Sequence, residues 1–328
     1  METRINCGPV VIDLTADSAL LCERAVTELE QFESRWAGPC AAVRVHLQVA
    51  TEPAAMLAGK FLYCREMRVD KTAGGFAATC VSGAAGFYDA SRHQWTLDFP
   101  IAPKTSRACE ANVDDEHVED LLELVLTTAW RESGWVPLHA GAVARNGCCA
   151  ILAAPSRGGK STLTAALLHR GWRTLGDDKI LIRMQSGGAP ELRGLTTQFN
   201  LDPRTSRWFR EVGDLESQQP LSRWTAKRRV AAERIWGDCF VAQARPTHIV
   251  EIRRDRDPGL TRATPLSATE VLSVLLHQTV VPADAAIAKG ILAVLAPSAR
   301  QLNGVRLEIG EDAYSNPKTF ETIEAMLA

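Results

Sequence analysis

The run Cys148–Ala153 is six residues long and small or apolar throughout. It passes directly into Ala154-Pro155-Ser156-Arg157-Gly158-Gly159-Lys160-Ser161 and then into the breaker-free stretch Thr162–Leu168. A short buried strand, a glycine-containing loop ending in Lys-Ser, and a helix, in that order, predict an α/β core carrying a phosphate-binding loop. It is the looser (Walker A) form, with Ala where many such loops have Gly. Backbone N–H groups of the loop and of the helix N-terminus would converge on a β-phosphate. Gly158 and Gly159 would let the backbone approach closely, Lys160 would reach the β- and γ-phosphate oxygens, and the Ser161 hydroxyl would ligate Mg²⁺. The candidate nucleotide-binding set is therefore Ala154, Pro155, Ser156, Arg157, Gly158, Gly159, Lys160, Ser161 and Thr162. A glycine-rich turn with an exposed lysine is the blander alternative, and the flanking strand and helix argue against it.

Charge narrows the classes further. Lys+Arg number 37 against 39 Asp+Glu, a formal net charge of −2, which leaves no global field for nucleic acid or an anionic membrane, so any anion site must be local. No apolar stretch approaches the roughly 18 residues needed to span a bilayer, and the start METRINCGPV lacks a basic-then-apolar leader pattern. A cytoplasmic protein is the expectation. The nine cysteines include no C-x-x-C and read as reduced thiols, neither a disulfide framework nor a zinc site.

Along the chain, residues 1–112 show short β-rich runs at Val10–Leu14, Ala42–Val49, Phe61–Val69 and Trp95–Phe99. Turn-like stretches at Thr72–Ala78 and Ser82–Gly86 and one helical segment, Ala19–Phe32, interrupt them. This part reads as a smaller β-rich α+β domain. From Asp114 the acids Asp114, Asp115 and Glu116 precede an apolar helical pattern to about Glu132, as the helix dipole favours, and the second domain is set at 113–328. Within it the expected order is strand Leu138–Arg145, turn Asn146–Gly147, strand Cys148–Ala153, loop, helix Ser161–Arg170 and strand Lys179–Met184. A strand at His248–Arg253, a capping box at Ser267–Glu270 opening a helix, and a helix–strand–helix set at Ala283–Ala296, Val305–Ile309 and Pro317–Leu327 complete it.

Two further features bear on chemistry. Asp177-Asp178 follows Lys160 by eighteen residues, room for one helix and a return to the sheet edge. Adjacent acids are commonplace in turns. At this distance from the loop they suit phosphoryl transfer, one facing the metal shell and one the acceptor hydroxyl. His139 sits one hairpin upstream of the loop, where it could orient the acid or stabilise developing charge, although a lone histidine is usually structural.

Together Leu138-His139-Ala140-Gly141-Ala142-Val143, the loop, and Arg170-Gly171-Trp172 with Asp177-Asp178 resemble the catalytic domain of the HPr kinase/phosphorylase family and its divergent HPr-kinase-related relatives. The resemblance runs from His139 to about Ile182. It implies a P-loop kinase core of the HPr kinase/PEP carboxykinase-like type, with ATP and Mg²⁺ as cofactors. It also implies catalytic roles for His139, Lys160 and Asp178, with Asp178 as base toward a serine hydroxyl and Ser161 on the metal; beside these, the adjacent acid Asp177 is expected to support catalysis and the metal. Glu191-Leu192-Arg193-Gly194-Leu195 is similar to the family's E-x-R-G-L segment and implies Glu191 as a second Mg²⁺ ligand.

The loop departs from the family in beginning with Ala154-Pro155 and carrying Arg157, and the basic Pro-Gly segment used in dephosphorylation has no counterpart. The expectation is a kinase without phosphorylase activity. Its acceptor would be a serine hydroxyl of a peptide or protein, with a small molecule left open, and with neither nucleic acid nor membrane as partner. A P-loop ATPase and a non-catalytic nucleotide-binding regulator are the rival readings. Arg254 and Arg256 are candidates for a downstream catalytic arginine. The basic stretch Arg223, Lys227, Arg228, Arg229 and Arg234, with Trp224 and Trp236, reads as a solvated face, an anion-recruiting patch, or a contact with a second copy of the chain.

Overall fold

The computed structural model describes residues 1–32, 36, 38, 40–57, 62–64, 67–100, 115–155, 157–196, 198–220, 226–254, 260–280, 284–310 and 312–327. The chain is mixed α/β, with several sheets and eight α-helices among the described residues, and it divides into two units. Among those residues no helix is long and apolar enough to cross a membrane.

The first unit comprises Met1–Gly134 with Val281–Ala288. It holds β1 (Glu2–Cys7), β2 (Val10–Ala16), α1 (Ala19–Glu30), β3 (Ala41–Ala50), β4 (Leu62–Cys64) and β5 (Met67–Thr72). Then come β6 (Gly75–Cys80), β7 (Ala85–Asp89), β8 (Gln94–Pro100) and α2 (Asp115–Glu132). The eight strands form one sheet in the order β1-β2-β3-β8-β7-β6-β5-β4. Alternation decides which face is inside: Val43, Val45 and Leu47 of β3 and Trp95, Leu97 and Phe99 of β8 are buried.

The boundary expected after residue 112 falls instead between Gly134 and Trp135, because α2 packs on the first unit. Trp130 on α2 is buried, donates its Nε1–H to the Cys7 carbonyl at 2.8 Å, and meets Phe32 edge-on at 5.7 Å. Burying a side chain of this size stabilises by roughly 2–3 kcal/mol, more than any surface contact of an acidic first turn supplies. Asp114 itself lies outside the described residues. The strand expected over Phe61–Val69 is two, β4 and β5, and part of the expected turn Thr72–Ala78 belongs to strand β6. Gly75 sits within that strand because a Cβ there would lie 1.9 Å from the Tyr88 carbonyl oxygen of β7.

The second unit comprises Trp135–Val280 with Lys289–Ala328. It holds β9 (Val136–Leu138), β10 (Gly141–Arg145), β11 (Cys148–Ala153), α3 (Lys160–His169), β12 (Arg173–Gly176), β13 (Ile180–Met184), β14 (Pro190–Gly194) and β15 (Gln198–Leu201). After two short 3₁₀ turns come β16 (Arg228–Ala231), α4 (Ala232–Trp236), β17 (Gln243–Ala244), β18 (His248–Arg254) and β19 (Arg262–Leu266). The chain ends with α5 (Ala268–His277), α6 (Ala285–Ala299, whose first four residues count with the first unit), β20 (Asn303–Ile309), α7 (Asp312–Ser315) and α8 (Pro317–Leu327). The expected capping box is formed at Ser267 and Glu270.

The six-stranded sheet runs β12-β10-β11-β18-β20-β19, with β11, β18 and β20 parallel. Leu163 and Leu167 of α3 and Phe320 and Ile323 of α8 pack with Leu152, Val250 and Leu307 of its strands in one core. A four-stranded antiparallel sheet, β17-β14-β13-β9, and the pair β15-β16 complete the unit. Asn146 (φ 52°) and Gly147 (φ 83°) both take the left-handed conformation that a two-residue hairpin turn between β10 and β11 requires.

The single strand expected over Leu138–Arg145 is two strands in two different sheets. β9 pairs with β13, β10 with β11 and β12, and His139-Ala140 is the crossover between them. His139 is therefore a linker residue rather than the start of a strand.

Candidate active site

Three crossovers build the site. The acids Asp177-Asp178 link β12 of the large sheet to β13 of the small one, as His139-Ala140 links β9 to β10 in the other direction. Ile180 pairs with Leu138 in one sheet and Gly176 with Ala142 in the other, so the two linkers must pass side by side. Gly141 makes room for this, since a Cβ there would lie 3.0 Å from the Asp177 carbonyl oxygen. His139 Nε2 reaches Asp178 Oδ1 at 3.5 Å, and its own backbone N–H donates to the Gln278 carbonyl at 2.6 Å. The third crossover is the chain between β14 and β15. A Cβ on Gly194 would lie 2.0 Å from the Leu175 carbonyl oxygen, and a Cβ on Gly176 would lie 3.1 Å from Thr196 Oγ1, so this segment presses on the residues just before the acid pair.

The loop leaves β11 at Ala154, which is buried, passes the exposed Pro155, and enters α3 through Gly159. Ser156 lies outside the described residues. The Gly158 amide donates to Pro155 O at 2.9 Å, Arg157 has φ 63°, and Gly159 caps the helix at φ 102°. The first turn of α3 leaves the amides ahead of Leu163 without intrahelical acceptors, and these face the loop. The Thr162 side chain is turned to the Thr205 hydroxyl at 3.4 Å, which leaves its backbone N–H as its contribution to the loop. Lys160 is buried, with Nζ donating to Ala154 O at 3.2 Å across the loop.

Gly158 has no room for a side chain, because a Cβ would stand 2.8 Å from Ala154 Cβ and 2.9 Å from Pro155 O. Gly158→Val is expected to cost about 1–3 kcal/mol of stability through forced backbone displacement. It should also weaken nucleotide binding, the first read by urea denaturation and the second by calorimetric titration with ATP. Wild-type values for both would contradict the loop geometry.

Charges at the site do not behave alike. Asp177 is 1 % exposed, and burial with the neighbouring Asp178 charge pushes its carboxyl up to about 7. The Ser161 hydroxyl and the Asn200 amide face it and pull the other way, yet both carboxylate oxygens lack a full hydrogen bond. Burial also works against the Asp178 charge, but His139, Lys160, Lys179 and Lys227 outweigh it and hold this carboxyl below its ordinary range. Burial lowers the Lys160 ammonium, aided by Lys227 and opposed by the two acids. One acid of the pair is thus ionised and half-buried beside His139, while the other is a buried oxygen donor in need of a cation or a proton. With Ser161 beside it, that donor suits Mg²⁺, a hard cation that takes oxygen ligands. Among the described residues no three His, Cys, Asp or Glu side chains gather as a metal cluster.

Glu191 is not brought to this site. In the β13–β14 register it lies opposite Arg183, three residues or about 10 Å along the strand from the Ile180–Gly194 pair beside the acids. Arg183 Nε and Arg193 Nε each donate to its carboxylate at 2.9 Å, and Gln185 Nε2 at 3.3 Å, so its oxygens are committed. The expectation of a Mg²⁺ ligand there is corrected by that register.

Lys227, read only as one member of a basic stretch, acts on Asp177, Asp178, Lys160 and Asp202 alike. Trp236 packs on Phe199 at 5.9 Å and Arg228 donates to Leu215 O, while Arg223, Trp224 and Arg256 lie outside the described residues. Arg254 ends β18 and its charge acts on Tyr314. Asn200 and Gln198 were missed altogether. Their signal was the alternation Gln198-Phe199-Asn200-Leu201, which turns both amides to one face and the apolar pair to the core.

No family model matches the chain, and no curated protein matches it in sequence. Among solved structures, the Hpr(Ser) kinase/phosphatase from Coxiella burnetii is a distant neighbour. The match covers 58% of this chain and 94% of that one, at 11% sequence identity and a TM-score of 0.32.

Proposed function

We propose that this chain is an ATP- and Mg²⁺-dependent kinase that transfers the γ-phosphoryl group to a hydroxyl, foremost a serine of a peptide or protein, and that it has no phosphorylase activity. The observation that carries this reading is the approach of two separate parts of the chain. One is the Lys160-bearing loop at the α3 N-terminus, with Ser161 facing Asp177. The other is the Asp177-Asp178 pair, whose charges act on Lys160, with Asp178 3.5 Å from His139.

In this reading the loop amides and the Lys160 ammonium bind the β- and γ-phosphates, Lys160 exchanging the Ala154 carbonyl for phosphate oxygen. Ser161 and Asp177 hold the metal, which when bound neutralises charge on the bridging and transferred phosphate oxygens. Asp178 accepts the proton of the attacking hydroxyl as its oxygen bonds to the γ-phosphorus and the bond to the bridging oxygen breaks, leaving ADP. His139 keeps Asp178 oriented and ionised. The β-rich first unit is surplus to this chemistry and is where acceptor recognition would reside.

Incubation with γ-labelled ATP, Mg²⁺ and peptides encoded beside the gene tests the proposal. Label on a seryl side chain is the expected result. Bound nucleotide with no labelled product from any peptide or small hydroxyl compound would replace the kinase with a nucleotide-binding regulator.

A further inference from the structure

Among the described residues, the buried oxygen atoms without a hydrogen-bond partner include both carboxylate oxygens of Asp177, Oδ1 of Asn200, Oε1 of Gln198 and Oγ1 of Thr196, besides Oδ1 of Asp98, Oε1 of Gln278 and Oγ1 of Thr279. Buried polar atoms are normally paired, because stripping water from them is costly. Asn200 and Thr196 lie beside Asp177 and Gly176, so orphans gathered near one buried carboxylate call for a group they can contact. Every one of these atoms is oxygen. A set of oxygen donors of this kind fits a hard cation with its water shell.

The chain brings these atoms together by the third crossover. Gly194 and Thr196 press against Leu175 and Gly176, immediately before Asp177, and the segment then enters β15. On β15 the fully buried Phe199 and Leu201 take the core side, so Gln198 and Asn200 share the other. The Asn200 backbone N–H faces the Asp177 carboxylate, which places this residue next to Asp177 and, through it, to Ser161.

We propose that Asn200, through its side-chain oxygen, completes the Mg²⁺ site with Ser161 and Asp177, in the place that Glu191 cannot fill. The inference rests on the kinase reading above. Glu191 would have to break two arginine contacts to ligate a metal, whereas the Asn200 oxygen has no bond to give up. One carboxylate, one hydroxyl and one amide oxygen leave the remaining positions of an octahedral ion to phosphate oxygens and water, the usual composition of a nucleotide-bound Mg²⁺. The Gln198 amide oxygen is positioned on the same wall to accept from such a water.

The test is Mn²⁺ binding followed by the paramagnetic resonance signal of the free ion, with the full-length protein and a non-hydrolysable ATP analogue. Asn200→Ala should weaken Mn²⁺ at least ten-fold while leaving analogue affinity in EDTA unchanged. Asn200→Asp, which keeps an oxygen at the position, should restore it, and Glu191→Gln should bind Mn²⁺ as wild type does. Wild-type Mn²⁺ affinity in Asn200→Ala, or a ten-fold loss in a folded Glu191→Gln, would overturn the assignment and leave the kinase reading standing. If the wild-type protein itself binds no Mn²⁺ with the analogue, both fall.

Discussion

Asp178→Asn is expected to lower phosphoryl transfer by two to four orders of magnitude, the range a positioned general base supplies, while nucleotide affinity stays within a few-fold of wild type. The substitution keeps size and hydrogen-bonding shape but cannot accept the proton. Binding should survive because the proposed phosphate grip is the loop and Lys160, to which Asp178 contributes through its charge on that lysine. Removing that charge makes the burial of Lys160 more costly, so a modest loss of affinity is the predicted side effect. Single-turnover transfer from labelled ATP and a parallel fluorescence titration separate the two. Undiminished transfer to every acceptor would remove Asp178 from the role of base.

Asp177→Asn should act in the opposite sense on stability and function. In metal-free protein the Asp177 carboxyl sits near 7, against 3.8 ordinarily, so the folded state keeps a proton that the unfolded chain has released. That contribution is fully present below the ordinary carboxylate range and is lost as pH rises from about 4 through about 7. Asp178, held low, changes in a lower window and does not offset this loss. In EDTA the wild-type protein should therefore be less stable at pH 8 than at pH 5.5. Asp177→Asn, which cannot ionise, should be stabilised at pH 8 by on the order of 4 kcal/mol. With Mg²⁺ and nucleotide present the sign should reverse, because the variant has lost the carboxylate proposed to hold the metal. Urea unfolding at both pH values, with and without metal, is the measurement. A destabilised, metal-free variant at pH 8 would mean that the buried carboxylate has a partner.

The local parts of this site were legible in the sequence because neighbours along the chain make them. An apolar run, two glycines and Lys160-Ser161 already specify a strand, a turn of positive φ and a helix N-terminus, and β11, the loop and α3 stand as the pattern implied. The Ser267–Glu270 cap and the Asn146-Gly147 turn were legible for the same reason. What the sequence determined by itself was therefore a strand, a glycine loop and a helix N-terminus with Lys160 at its start. Tertiary structure decided which other side chains would meet there, because cross-strand register does not follow from spacing. His139 reaches Asp178 since Leu138 pairs with Ile180 while Ala142 pairs with Gly176 in another sheet. Glu191 fails to reach the acids since the same kind of register sets it opposite Arg183 and makes it half of an ion pair. Asn200 arrives at Asp177 by a path bent around two glycines. A carboxylate's availability depends on what lies across the strand from it, and only the folded chain settles that.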